Sequence, residues 1–342
     1  MLLRSGPDAS AHSTGPEANE TTGIPSDMRV DWDIPIAMDD GAVLRADVFR
    51  PIGSGKHPVI LSYGPYAKGL SFQEGYRGNW ARLIKAAPEV LRGSSNKYQN
   101  WELVDPEKWV PDGYACVRVD SRGAGRSPGY LDVWSPREAR DLYQCVEWAG
   151  TQPWSNGKVG INGISYYAMN QWQVAALKPP HLAALCIWEG SSDYYRELAR
   201  HGGILSDFLS SWYPRQVASV QHGIGERGTK SVVTGELVAG PPTLTDEELA
   251  KSRADSPGEA KRRRVLDVCR SHGEVREHRG AIIVGGELGR HGPAPARQLR
   301  RLAARRFQAE MAGGPRRHPL HAFLQQLRRD AAEAVLRPFP QG

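Results

Sequence analysis

Between residues 57 and 190 the chain alternates short, unbroken apolar runs with helix-like stretches. "HPVILSY" (57–63), "YACVRVD" (114–120), "KVGIN" (158–162) and "LAALCIWEG" (182–190) are rich in β-branched residues and end in turn signals. Runs that are apolar at every position, rather than at every second one, suit strands buried on both faces of a parallel sheet. "AVLRADVFRP" (42–51) alternates instead and ends at a proline, as a half-exposed strand does. The stretch "SPREARDLYQCVEWAG" (135–150) predicts a helix. Ser135 is placed to cap it, Pro136 suits its first position and Glu138 closes a capping box. Leu142, Cys145, Val146 and Ala149 then share one face. A second helix runs from Tyr166 to about Leu177 and stops at Pro179 and Pro180. Strand, helix, strand, helix in this order implies an α/β doubly wound, mostly parallel sheet. Residues 191–255 lose the pattern. "SDFLSSWYPRQVASV" and "TLTDEELAKSR" read as short helices, the second capped by Thr243 or Thr245, and an all-helical insertion after a late strand is a natural lid.

The junction "KVGINGISYYAMNQW" (158–172) carries the chemistry. A strand, then Gly163-Ile-Ser165-Tyr166, then a helix is the pattern of a nucleophile elbow. A serine hydroxyl is a weak nucleophile unless a base lies within hydrogen-bond reach. The tight turn holds the hydroxyl clear of its own backbone and aims the helix N-terminus at the reacting oxygen. Small residues are wanted two places either side, so that strand and helix can cross. Gly163 meets that need and Tyr167 does not, so the helix is expected to sit slightly further from the strand. The same triplet also occurs in ordinary structural turns.

The segments "MRVDWDIPIAMDDGAVLRADVFRP", "GPYAKG", "VRVDSRGAGRSPG", "DLYQCVEWAGTQPWSNGKVGINGISYYAMNQW" and "WYPRQVASVQHGIGERG" occur in this order over residues 28–255. Together they resemble the CocE/NonD serine hydrolases, relatives of cocaine esterase and the X-Pro dipeptidyl-peptidases (peptidase family S15). The resemblance implies an α/β-hydrolase core over 28–190, a helical cap over 191–255, and a Ser–Asp–His triad acting on small-molecule esters or amides. It makes Ser165 the nucleophile and assigns the oxyanion hole to the Tyr166 backbone N–H and the Tyr66 phenol. Tyr66 also follows a strand at the place where this fold supplies its second oxyanion donor. Asp193 follows a strand too, but the chain order Ser, Asp, His with a cap before the acid argues against it as the triad acid. "DSRGAGRSPG" (120–129) has the glycine spacing of neither a Walker loop nor a dinucleotide fingerprint, and Asp120 and Arg122 are expected to brace that loop by ion pairing.

The triad acid and base remain unassigned. Residues 256–342 offer "AIIVGG" (281–286) as their one strand, and His318 and His321 lie in a helix-like stretch. The same region changes composition. Residues 251–342 carry 20 Lys and Arg against 9 Asp and Glu, whereas all 22 Trp and Tyr lie at or before Tyr213. A shifted reading frame accounts for the charge jump, the lost aromatics and the missing triad at once. With suitable codons, residues 307–323 read one base later as "SRQKWLEVHGDTHCTH", a family-like histidine segment. The coding DNA across codons 250–260 decides the point. On that account the last strands of the sheet are missing, and a hydrolase-like remnant without catalysis is the alternative reading. A nucleic-acid-binding tail is the third, but these arginines are interspersed with Ala, Gly and Pro and lack aromatics for base stacking, so no nucleic-acid partner is expected.

Residues 1–27 are Ser-, Thr-, Gly- and Pro-rich and are expected to be disordered, with Met28 an alternative start. No apolar run approaches the ~18 residues of a membrane span, so no membrane association is expected. Cys116, Cys145, Cys186 and Cys269 show no C-x-x-C spacing and are expected to be free thiols of a cytoplasmic protein. No metal cluster is apparent, and hydrolysis by this route needs no cofactor. Oligomeric state is left open.

Overall fold

The computed structural model describes residues 27–192, 194–201 and 203–245, together with the strand 281–285. Seven strands form one sheet: β1 (Met28–Ala37), β2 (Val43–Pro51), β3 (His57–Gly64), β4 (Ala115–Asp120), β5 (Ser155–Ile164), β6 (Leu182–Trp188) and β7 (Ala281–Gly285). Their spatial order is β1-β2-β4-β3-β5-β6-β7. The β1–β2 and β2–β4 pairs are antiparallel, and every pair from β4 onward is parallel. Each apolar run singled out in the sequence is a strand, and the run at 281–286 adds a seventh by pairing with β6. Strand β1 carries no clear strand signal in the sequence. It has mixed polarity, half-buried residues and a bulge between Asp31 and Ile34, features of an edge strand that blur the alternation a reader looks for.

The main helices are α1 (Arg77–Ala86), α2 (Pro136–Thr151), α3 (Tyr166–Ala176) and α4 (Phe208–Trp212). The Ser135 hydroxyl accepts the Glu138 N–H, as a capping box requires. The Glu138 carboxylate reaches one residue further out than expected and accepts the Trp134 N–H. Successive residues along a strand serve opposite faces. Leu61, Val117, Ile161 and Leu185 pack against Leu142 and Val146 of α2 and Val174 of α3. Their neighbours Ile60, Cys116 and Cys186 face the other layer. This two-sided burial is why the runs are apolar throughout.

From residue 206 the chain forms α4, a π-helical turn (Tyr213–Val217) and a 3-10 turn (Ala218–Val220). Leu209, Trp212, Tyr213 and Val217 from this stretch join Tyr66, Tyr166 and Tyr167 in a second core. Residues 243–245 of "TLTDEELAKSR" are described and are not helical; the rest of that stretch, residues 1–26 of the N-terminal extension, and Asp193, Cys269, His318 and His321 fall outside the described residues. Cys116, Cys145 and Cys186 are buried free thiols.

Candidate active site

The C-terminal ends of the parallel strands β3, β5 and β6 lie at one edge of the sheet: β3 ends at Gly64, and Ile164, the last residue of β5, pairs with Trp188, the last of β6. Ligand sites in open α/β sheets form at this edge. Ser165 is the first residue beyond β5 and sits at φ 58°, ψ −115°. That conformation is costly for any residue with a side chain, and such strain collects at functional turns. Two backbone bonds hold it. The Ser165 N–H donates to Trp188 O at 3.0 Å, and the Ile164 N–H donates to Glu102 O at 3.2 Å. The Ser165 carbonyl then accepts from Ala168 and Met169, starting α3. A serine at a helix N-cap ordinarily turns its hydroxyl onto the helix's own amides. Ser165 makes no such bond and stays half-buried. Its hydroxyl is therefore committed to no capping role.

Room for this turn comes from glycines. A Cβ at Gly163 would lie 2.1 Å from Tyr167 Cβ, and one at Gly64 would lie 2.6 Å from the Tyr167 ring. The expectation that Tyr167 pushes the helix away from the strand is corrected here. Helix and strand cross closely, and the Tyr167 ring occupies the space that Gly64 leaves open. Asn170 of α3 ties the arrangement to β3 by donating to Tyr63 O at 2.7 Å.

Tyr66 is buried and meets Tyr166 and Tyr167 edge-on, with ring centroids 6.0 and 5.4 Å apart. The structure thus sets the Tyr66 ring against that of Tyr166, the residue that follows Ser165. Burial, and next the Glu102 carboxyl, raise the Tyr66 phenol well above the usual tyrosine range. It therefore stays protonated, which a hydrogen-bond donor must be. Its oxygen accepts the Trp212 indole N–H at 2.9 Å. The Tyr166 phenol donates to Glu138 Oε2 at 2.6 Å and stacks on Trp134 at 5.2 Å. With its side chain anchored there, Tyr166 offers its N–H as the first amide of α3, a group with no intrahelical acceptor.

Three contributors escape a sequence reading. Trp212 meets Tyr66 across 146 residues of chain, and no local pattern announces such a pair. Glu138 is visible in the sequence as a capping residue but not as the anchor of Tyr166. Glu102 also has positive φ, 62°, and its Oε2 is buried without a partner. Burial pushes its carboxyl up to about 8; the nearby Trp101 indole opposes this and Glu189 adds to it.

No hydrogen bond joins Ser165 Oγ to a histidine or carboxylate among the described residues. His57 is bonded to Gly113 O, His181 to Glu147 and His222 to Gly125 O. Asp120 and Arg122 do brace the loop after β4, but not by pairing with each other. Arg122 forks onto Asp141 of α2, and Asp120 accepts the Lys68 and Arg126 amides. No group of three or more His, Cys, Asp or Glu able to hold a metal occurs among the described residues. Nor is any described helix long and apolar enough to cross a membrane.

Strand order, the two leading antiparallel pairs and the strained serine after β5 define an α/β-hydrolase. Residues 40–272 match the sequence profile of the X-Pro dipeptidyl-peptidase (S15 family), and the chain belongs to that family. By family it is a serine hydrolase of the S15/CocE type. Cocaine esterase from Rhodococcus is 32% identical over 163 residues, 48% of this chain and 24% of that protein. A putative Xaa-Pro dipeptidyl-peptidase from Bacillus cereus is 28% identical over 163 residues, 41% of this chain and 26% of that protein. A crystal structure of a CocE/NonD family hydrolase from Staphylococcus aureus shares 40% identity, with a TM-score of 0.47, over 55% of this chain and 33% of that one. The match thus spans about a quarter of the length of these curated relatives.

Proposed function

We propose that the chain hydrolyses small-molecule esters or amides through an acyl-enzyme on Ser165. The single observation that carries this reading is the backbone of Ser165, held at φ 58° with a hydroxyl bound to no helix amide. Ser165 Oγ attacks the substrate carbonyl carbon and its proton passes to a general base that we leave unassigned. The carbonyl oxygen becomes an oxyanion, met by the Tyr66 phenol and the Tyr166 N–H. The bond to the alcohol or amine then breaks, the leaving group takes the proton, and water hydrolyses the acyl-serine by the reverse sequence. The stretch from 191 to 255 acts as the cap, supported by Trp212 bonding directly to Tyr66. Three buried free thiols support a reducing, cytoplasmic location.

A second reading has its own support: no base bonded to Ser165 among the described residues. On it the chain keeps the elbow and lacks turnover, since loss of a triad member lowers kcat by a factor on the order of 10⁴–10⁶. A fluorophosphonate probe with peptide mapping separates the two. On the enzyme reading, labelling of Ser165, lost in Ser165→Ala, is expected together with turnover of p-nitrophenyl acetate. Folded protein that neither takes up the probe nor turns over the ester refutes an activated nucleophile at Ser165 and favours the remnant, whose serine lacks a base.

A further inference from the structure

Tyr66 leaves β3 through a turn whose next residue, Ala67, has φ 63°. A left-handed alanine costs free energy, so something must hold it. The holder is Lys68, whose three polar groups all meet buried partners. Its N–H donates to Asp120 Oδ1 at 2.6 Å. Its carbonyl accepts from Asn100 Nδ2 at 2.7 Å. Its ammonium donates to Asp47 Oδ1 at 2.8 Å and to Asp33 Oδ1 at 3.1 Å. The Lys68 side chain is 4% exposed and that of Asp47 3%. Burial alone would discharge the ammonium, but Asp47, Asp120 and Asp33 overcome it and raise the group above its usual value.

The partners are themselves fixed. Asp33 lies in the β1 bulge at φ 53°, its N–H donates to Asp47, and its carboxylate pairs with Arg126 at 2.9 Å. Asn100 accepts from the buried Arg118 at 3.1 Å. Charges and amides linked in a largely buried network act together, so deletion of one member is felt by the rest. This one runs from the β1 edge, through β2 and β4, to the residue two places after the Tyr66 phenol. Trp212 fixes that phenol from the other side.

We propose that Lys68 is a positioning residue: its ammonium, locked between Asp47 and Asp33, holds the strained Ala67 turn and so aims the Tyr66 phenol at the oxyanion. The inference rests on the role proposed for Tyr66. The Met28–Ala37 edge strand and its bulge then serve the site at a distance, by supplying Asp33.

The test uses phenylboronic acid, read by tryptophan fluorescence and boron-11 NMR. The Ser165 Oγ–B bond forms, the hydroxyl proton goes to solvent, and boron becomes a tetrahedral anion that mimics the oxyanion. Tyr66→Phe should weaken binding by a factor on the order of 10², and Lys68→Met by a factor on the order of 10. The double variant should bind no worse than Tyr66→Phe alone. Benzyl alcohol, which forms no oxyanion, should bind all of them equally, as it would not if the pocket had simply collapsed. If Lys68→Met does not fold, Asp33→Asn, which keeps an oxygen facing Lys68, gives the same cycle with a smaller loss. Wild-type-like boronate binding in the Lys68 or Asp33 variant, or losses that multiply in full with Tyr66→Phe, overturn the proposal. Wild-type protein that forms no adduct overturns the role of Ser165 and this inference with it.

Discussion

Gly163→Ala adds one methyl group at the tightest point of the elbow. The new Cβ would lie 2.1 Å from Tyr167 Cβ and 3.1 Å from both the Tyr167 Cα and its carbonyl carbon. Ordinary carbon contacts need about 3.5–4 Å, so helix and strand must part by more than 1 Å. Overpacking of this kind costs about 1–3 kcal/mol, and here the upper end applies because the first obstacle is a Cβ that no rotamer can move. A 3 kcal/mol loss lowers Tm by roughly 6–12 °C in a domain of this size. The same displacement carries Ser165, and a 1 Å error at a reacting atom slows reaction about 10²-fold. The obstacle can be removed from the other side. Tyr167→Gly deletes the clashing Cβ, so Gly163→Ala should cost about 1 kcal/mol in that background, leaving a coupling of about 2 kcal/mol. Thermal unfolding and fluorophosphonate labelling rates of the four proteins measure it. Additive losses would show that the two residues do not compete for one space. A Gly163→Ala protein that melts and labels like the wild type would refute the close crossing itself.

Three further outcomes are expected. Ser165→Gly should abolish labelling yet raise Tm by a few degrees, since glycine accepts this backbone without the ~1–3 kcal/mol strain of serine; a lower Tm would contradict the strain. Trp212→Phe removes one hydrogen bond to Tyr66 and should slow labelling about five-fold, the worth of ~1 kcal/mol, while an unchanged rate would show that Trp212 does not support the Tyr66 phenol. The Glu102 carboxyl lies at about 8 in the folded chain against an ordinary value of 4.5. The folded state thus holds a proton that the unfolded chain releases, so this group's contribution to stability falls as pH rises from 4.5 to 8. Glu102→Gln should flatten that part of the Tm–pH curve, and an identical curve would place the buried proton elsewhere.

Much of this site can be read from residues alone because its parts are local. An apolar strand, Gly163, Ser165 and a helix start lie within a dozen residues, and the capping box at Ser135 and Glu138 is a matter of spacing. The edge strand β1 was not legible, because its bulge breaks the period of two. The room for Tyr167 was not legible either, because Gly64 comes from a strand 103 positions earlier.

Pattern by itself determined the α/β class, five strands of the sheet up to residue 190, both long helices and Ser165 as the candidate nucleophile, while Tyr66 and Tyr166 entered through the resemblance to the CocE/NonD hydrolases. Only the tertiary structure decided that Trp212 grips Tyr66, that Glu138 anchors Tyr166, and that Lys68 ties the site to the far edge of the sheet. The reason is range. Strand and helix signals are written in the spacing of neighbouring residues, whereas a buried hydrogen bond between distant segments depends on how the chain closes on itself.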